Sequence, residues 1–190
     1  CELLAVQSHD NTQLFYCYFY KSMTLDTLNT LPKSEALEQF SICCGASKWA
    51  EHMTAFRPFQ DKNELFNLAE RIWLSLASED WLEAFSHHPK IGDIDSLRKK
   101  FQKTKSWTEK EQSGIQGAGE HILKDLEESN RLYEEKFGYI FIVCATGKSA
   151  EEMLILLKVR LENDPAAELL IAAKEQNKIT QLRLENLLSL

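Results

Sequence analysis

The run His87-His88-Pro89 holds the first group suited to proton chemistry. An imidazole titrates near pH ~6.5, which matches proton transfer at neutral pH. A histidine at a helix end, followed by proline, stands where the backbone turns sharply. Its ring can then project into a cleft instead of along a helix face. The plainer reading is a helix terminator whose imidazoles cap the last carbonyls. On the pair alone, that plainer reading is the stronger one. A metal site from His87, His88 and Asp93 is weaker still, because adjacent side chains on a helix point apart.

Three other places could carry chemistry. Thr108-x-x-Glu111 has the spacing of a capping box, which gives Glu111 a purely local task. A carboxylate at a helix N-terminus is also well placed to hold a substrate hydroxyl or to orient a catalytic histidine. Arg183 falls on the inner side of an otherwise apolar last helix. Burying a guanidinium is costly unless an anion pairs with it. The partner is either an internal carboxylate such as Glu111 or Glu175, or a planar anionic ligand clamped by the forked donors. Finally, Phe141-Ile142-Val143-Cys144-Ala145 reads as extended chain among helices. Its N–H and C=O groups lack ladder partners, so helix side chains or a small polar ligand must satisfy them.

The elements that position these groups are helical. Segment 34–43 carries Ala36, Leu37, Phe40 and Cys43 near a 3.6-residue period, and Gly45 interrupts it. Trp49, Ala50 and Met53 continue an apolar face as far as Arg57-Pro58. Segment 63–77, with Leu65, Leu68, Ala69, Ile72, Trp73 and Leu76, predicts an amphipathic helix. Ser78 is the expected cap of a short helix bearing Trp81, Leu82 and Phe85. Trp49, Trp73 and Trp81 are expected in the core.

Residues 93–107 read as a polar surface loop. A long helix is expected from Thr108 to Lys136, ending at Gly138. Gly114, Gly117 and Gly119 predict a kink or break in its first half. The strand-like run 139–144 stands alone and cannot make a sheet, so it predicts an extended buried connector. Ser149-x-x-Glu152 opens a further helix, and Asp164-Pro165 opens the last one. The fold class is therefore all-α: a single compact domain of about seven to nine helices with one extended buried connector.

Bulk properties narrow the function. The chain has 190 residues, of which 44% are hydrophobic, and a net charge of -7. That length supports one domain with a real core. The acidic balance argues against a nucleic-acid partner, which needs clustered Lys and Arg. No apolar run reaches about 18 residues, so no membrane-spanning helix is expected. The five cysteines lack metal-type spacing, and Cys43-Cys44 are unlikely to bridge each other, so free thiols in the cytoplasm are expected. No phosphate-binding loop, His-Glu-x-x-His or Gly-x-Ser-x-Gly motif is present. Residues 1–22, with the aromatic patch Leu14 to Tyr20, read as an upstream extension outside the fold. The domain is expected over 23–190. A processed lipoprotein starting at Cys1 is the weaker alternative.

Taken together the motifs are more specific than any one of them. They include Phe40-Ser41-Ile42-Cys43-Cys44-Gly45, Trp49-Ala50-Glu51 with Met53, and Arg57-Pro58-Phe59. Asp80-Trp81-Leu82-Glu83-Ala84-Phe85-Ser86 runs on to His88-Pro89 and Ile91-Gly92, and Glu111-Gln112-Ser113 follows. Then come Lys136-Phe137-Gly138-Tyr139-Ile140-Phe141-Ile142 and Glu175-Gln176 with Lys178-Ile179-Thr180 and Leu182-Arg183-Leu184. This pattern, over roughly residues 25 to 189, resembles the 2-oxo-4-hydroxy-4-carboxy-5-ureidoimidazoline (OHCU) decarboxylase family, near the decarboxylase half of plant allantoin synthase.

The resemblance implies an all-α homodimer that converts the small-molecule substrate OHCU to (S)-allantoin in urate breakdown, with no cofactor and no metal. It implies decarboxylase activity alone, without the transthyretin-like hydrolase half of the plant protein. It makes His88 and Glu111 catalytic, without dividing the two proton transfers between them. It implies substrate contacts from Pro89, from Thr108, Glu109, Lys110, Glu111 and Gln112, from Phe141, Ile142, Val143, Cys144 and Ala145, and from Arg183. Residues 1–22 are not accounted for by the family pattern. Two other functions compete: a non-enzymatic helical binding module, and a related enzyme acting on another ureido acid.

Overall fold

The computed structural model describes residues 22–88 and 112–189, with side chains from residue 119 onward in the second segment. Eight helices and no strand occur among the described residues. They are α1 (Leu25–Thr30), α2 (Lys33–Cys44), α3 (Ser47–Ala55), α4 (Lys62–Ser75), α5 (Ser78–Ser86), α6 (Gln112–Phe137), α7 (Ala150–Leu161) and α8 (Pro165–Leu187). The all-α reading holds.

Local chemistry sets most of the ends. The Thr24 and Asp61 side chains accept from backbone N–H groups at the starts of α1 and α4. Ser149 and Glu152 form the reciprocal box that opens α7. Asp164 caps α8, with Pro165 in the first helical position. Gly45 ends α2 at φ 86°, a left-handed backbone that a side chain disfavours.

Two sequence expectations are corrected. Ser78 is the first residue of α5 and not its cap; Ala77 holds that place. The Asp80 carboxylate reaches back to accept from the Ala77 N–H at 3.2 Å, so no hydroxyl is needed. Of the kink or break expected at Gly114 to Gly119, the break does not occur, and α6 is continuous there. Glycine lowers helix stability by about 1 kcal/mol relative to alanine but keeps its N–H, so it weakens the helix without removing a bond. The expected start of that helix at Thr108 lies outside the described residues.

The helices bury two apolar clusters. The larger gathers Leu28, Phe40, Trp49, Met53, Leu65, Trp73, Phe85 and Leu184 from α1 to α5 and α8. Its indoles are satisfied: Trp49 donates to the Ala69 carbonyl at 2.9 Å and Trp73 to that of Ala173 at 2.8 Å. Trp81 is half-buried and donates to the Trp73 carbonyl. The smaller cluster joins Leu123, Leu126 and Tyr133 of α6 to Met153 and Leu157 of α7.

Residues 139–145 run between the two. Ile140 and Ile142 pack on the larger cluster, while Phe141, Val143 and Ala145 pack on the smaller. Alternate side chains of an extended chain point to opposite sides, which lets one segment serve both cores. This is the predicted connector, with Ile142 buried and its neighbours half-buried. At the other end of the fold, the Met23 N–H donates to the Leu187 carbonyl at 2.8 Å, tying the start of the described chain to the end of α8.

Candidate active site

His88 follows directly on the end of α5. Its backbone N–H donates to the Phe85 carbonyl at 3.2 Å, and the residue is half-buried. The ring turns toward α8, where Nε2 lies 2.5 Å from Oε1 of Gln176. Gln176 is fully buried, and its Nε2 donates to Thr180 Oγ1 at 3.3 Å, one turn further along α8. His87, by contrast, is exposed at the C-cap of α5. It abuts the end of α2, where a Cβ placed on Gly45 would lie 3.0 Å from His87 Cβ.

Arg183 lies on the same stripe of α8 as Gln176 and Thr180, about 10 Å along the axis from Gln176. Its Nη1 donates to the carbonyls of Ile42 at 3.3 Å and Cys43 at 3.2 Å, at the C-terminal end of α2. An internal carboxylate such as Glu175 was one of the two expected partners. Glu175 instead accepts from Lys178 at 2.5 Å and from the Cys144 N–H at 2.8 Å. Arg183 is only half-buried. The unpaired carbonyls that end α2 carry partial negative charge, which answers its cation without a carboxylate.

The connector is held from both sides. The Ile142 carbonyl accepts from Arg160 Nη1 at 2.8 Å, and that guanidinium stacks over the Phe141 ring at 4.6 Å. The Cys144 N–H is taken by Glu175. Burial works to raise the pKa of Glu175, but Lys178 and the Cys144 N–H outweigh it and leave the carboxyl below its usual range. Helix side chains therefore satisfy two of the connector's backbone groups. Val143 and Ala145 flank them, half-buried.

His88, Arg183 and the Cys144 amide thus converge on one helix. Pro89, Thr108, Glu109, Lys110 and Glu111 lie outside the described residues, as does the side chain of Gln112. Among the described residues no group of three or more His, Cys, Asp or Glu is gathered to hold a metal ion. Cys43 and Cys44 are buried free thiols and Cys144 is a half-buried one. No described helix is long and apolar enough to cross a membrane.

Sequence reasoning named Gln176 within a motif of the last helix but gave it no role. It also passed over the pair Arg160 and Glu168. Glu168, Ala172, Gln176 and Thr180 recur every four residues, and polar groups inside such a stripe are the signal that could have found them.

Comparison with known proteins places the chain in a family. The family model for OHCU decarboxylase matches residues 29–185. The chain is 39% identical over 153 residues to the uric acid degradation bifunctional protein TTL of Arabidopsis thaliana. That match takes in 80% of this chain and 47% of the relative, so the chain spans about half the relative's length. It is 29% identical over 169 residues to the 2-oxo-4-hydroxy-4-carboxy-5-ureidoimidazoline decarboxylase of Amia calva, covering 87% of this chain and 95% of that one. A crystal structure of OHCU decarboxylase in the presence of (S)-allantoin matches with a TM-score of 0.65 at 41% identity. There the alignment covers 80% of this chain and 98% of the other.

Proposed function

Because this chain belongs to the OHCU decarboxylase family, we propose that it decarboxylates 2-oxo-4-hydroxy-4-carboxy-5-ureidoimidazoline to (S)-allantoin in urate degradation. It is a carboxy-lyase. The observation that carries the assignment to a site is the convergence of the His88 ring, Arg183 and the Cys144 amide on α8.

The substrate explains why so small a set of groups suffices. Its carboxylate sits on a ring carbon that also bears a hydroxyl, next to a ring imine. As the bond to CO2 breaks, the electron pair moves into that imine, whose nitrogen takes up a proton from solvent, so the electron sink lies in the substrate. The hydroxyl then gives up its proton and becomes the carbonyl of the product. The ureido-bearing carbon takes up a proton and becomes the stereocentre. His88, supported by Glu111, manages these protons. Pro89, residues 108–112, the backbone of 141–145 and Arg183 hold the ring and ureido groups so that one face is open. Arg183 is well suited to a planar ureido or carboxylate group, since a guanidinium has donors to spare beyond Nη1.

The test is enantiomeric. OHCU generated from urate in situ and supplied to the purified protein yields (S)-allantoin, read by circular dichroism. His88→Ala folds normally and leaves only the slow racemic product. A racemic product from the wild-type chain overturns the assignment and favours the non-enzymatic helical module; a His88→Ala chain that still yields (S)-allantoin removes His88 from the chemistry.

We take the catalytic unit to be 23–190, with 1–22 outside it, and to be a cytoplasmic homodimer, as the family resemblance implies. The Met23 to Leu187 bond supports the boundary, and the free thiols of Cys43, Cys44 and Cys144 support the compartment. Sedimentation and activity of a chain starting at Met23 test the boundary and the dimer together.

A further inference from the structure

Gln176 has no carboxylate to offer His88, yet it is the buried group that meets the ring. A primary amide presents an acceptor at one end and two donors at the other, so its direction decides what the imidazole nitrogen must be. That direction is fixed from behind. Gln176 Nε2 faces Thr180 Oγ1 at 3.3 Å. The Thr180 oxygen accepts from that amide nitrogen, which leaves Oε1 turned toward the His88 ring.

Gln176 and Thr180 are 0% and 1% exposed, so water does not compete for these two bonds. The amide N–H meets the Thr180 oxygen and the amide oxygen meets the imidazole, so the chain Thr180, Gln176, His88 runs from the core outward.

We propose that Gln176 is a positioning residue that fixes His88 as its Nε2–H tautomer and sets the plane of its ring, making Nδ1 the nitrogen that exchanges protons with substrate. The last part rests on the decarboxylase reading; the tautomer does not. In a neutral imidazole with Nε2 protonated, Nδ1 is the basic nitrogen. A neutral amide differs from a carboxylate here. It orients the ring without adding a charge beside it.

The test combines a spectrum with kinetics. In protein labelled with 15N-histidine, the His88 signals are identified by their loss in His88→Asn. The expected spectrum has Nε2 at a protonated, pyrrole-like shift and Nδ1 at a pyridine-like shift. Gln176→Leu collapses this to a mixture and lowers kcat by about ten- to a hundredfold with little change in KM, as for a misplaced catalytic group. Thr180→Val, which removes the hydroxyl that sets the amide direction, also gives mixed tautomers. A pyridine-like Nε2 in the wild-type protein overturns the proposal, as does a folded Gln176→Leu with wild-type kcat. The spectrum requires no substrate and no variant of Gln176. It stands or falls separately from whether the wild-type chain makes (S)-allantoin.

Discussion

Arg160 and Glu168 form an ion pair inside the protein, with Nη2 2.5 Å from Oε1 and the carboxylate side chain 0% exposed. Glu168 also accepts from the Tyr133 hydroxyl and from Asn163 Nδ2, while Arg160 reaches on to the Ile142 carbonyl. Removing one partner of such a pair leaves an uncompensated buried charge, at a cost of about 3–5 kcal/mol. Arg160→Met and Glu168→Leu are each expected to lose stability on that scale in urea unfolding. Arg160→Met also frees the Ile142 carbonyl, so the enantiomeric excess of its allantoin should fall further than its residual stability explains.

Gly45→Ala has a double penalty. The φ of 86° disfavours a side chain by about 1–2 kcal/mol. The new methyl would lie 3.0 Å from His87 Cβ and 3.2 Å from its Cγ, so the end of α5 must shift. Because His88 is the next residue, the variant should lose activity as well as thermal stability. A change in melting temperature without a change in kcat would separate the two effects and contradict the coupling.

Arg183→Lys keeps the charge and loses the fork. A lysine can still serve the two α2 carbonyls, so the fold is expected to persist. Loss of one charge-assisted hydrogen bond to substrate, worth about 1.5–3 kcal/mol, should raise KM by about tenfold or more. Initial rates over a range of freshly generated OHCU check this.

Alkaline pH should weaken the fold through α2. Burial pushes the Cys43 thiol up from 9.0 to about 12 and the Cys44 thiol to about 11. The unfolded chain releases these protons near pH 9, whereas the folded chain retains them. Their contribution is therefore complete below pH 9 and is lost as pH rises toward 11 to 12. Unfolding free energy measured between pH 8 and 11 should decline, with a shallower slope in Cys43→Ala. At pH 8, thiol reagents should label Cys144 well before Cys43 or Cys44.

The parts of this molecule that depend on near neighbours were legible in its sequence. Ser149 with Glu152, Asp164 with Pro165, and Gly45 each announce a helix end because the groups they satisfy lie within four residues. The connector was legible because a lone apolar run among helical periods has few alternatives. Ser78 misled because Asp80, two residues on, supplies the cap from inside the helix. Arg183 was rightly read as needing an anionic environment, but its partners are carbonyls 140 and 141 positions away, which no spacing reveals. Gln176 shows the same limit: its importance lies in the ring it meets, and that ring is 88 residues distant.

The segment 139–145, with side chains alternating between two cores, also bears on how the protein breathes. α6 and α7 share one cluster, α8 and the first five helices share the other, and this ribbon is their common boundary. Cooperative opening units tend to follow such divisions. Amide exchange should accordingly resolve two classes of protection, with α6 and α7 opening together ahead of α3, α4 and α8. The Cys144 amide, anchored to Glu175, should exchange with the slower class. Substrate-side backbone would then stay with the half of the molecule that holds His88 and Arg183, and product could leave by a loosening of the smaller half alone.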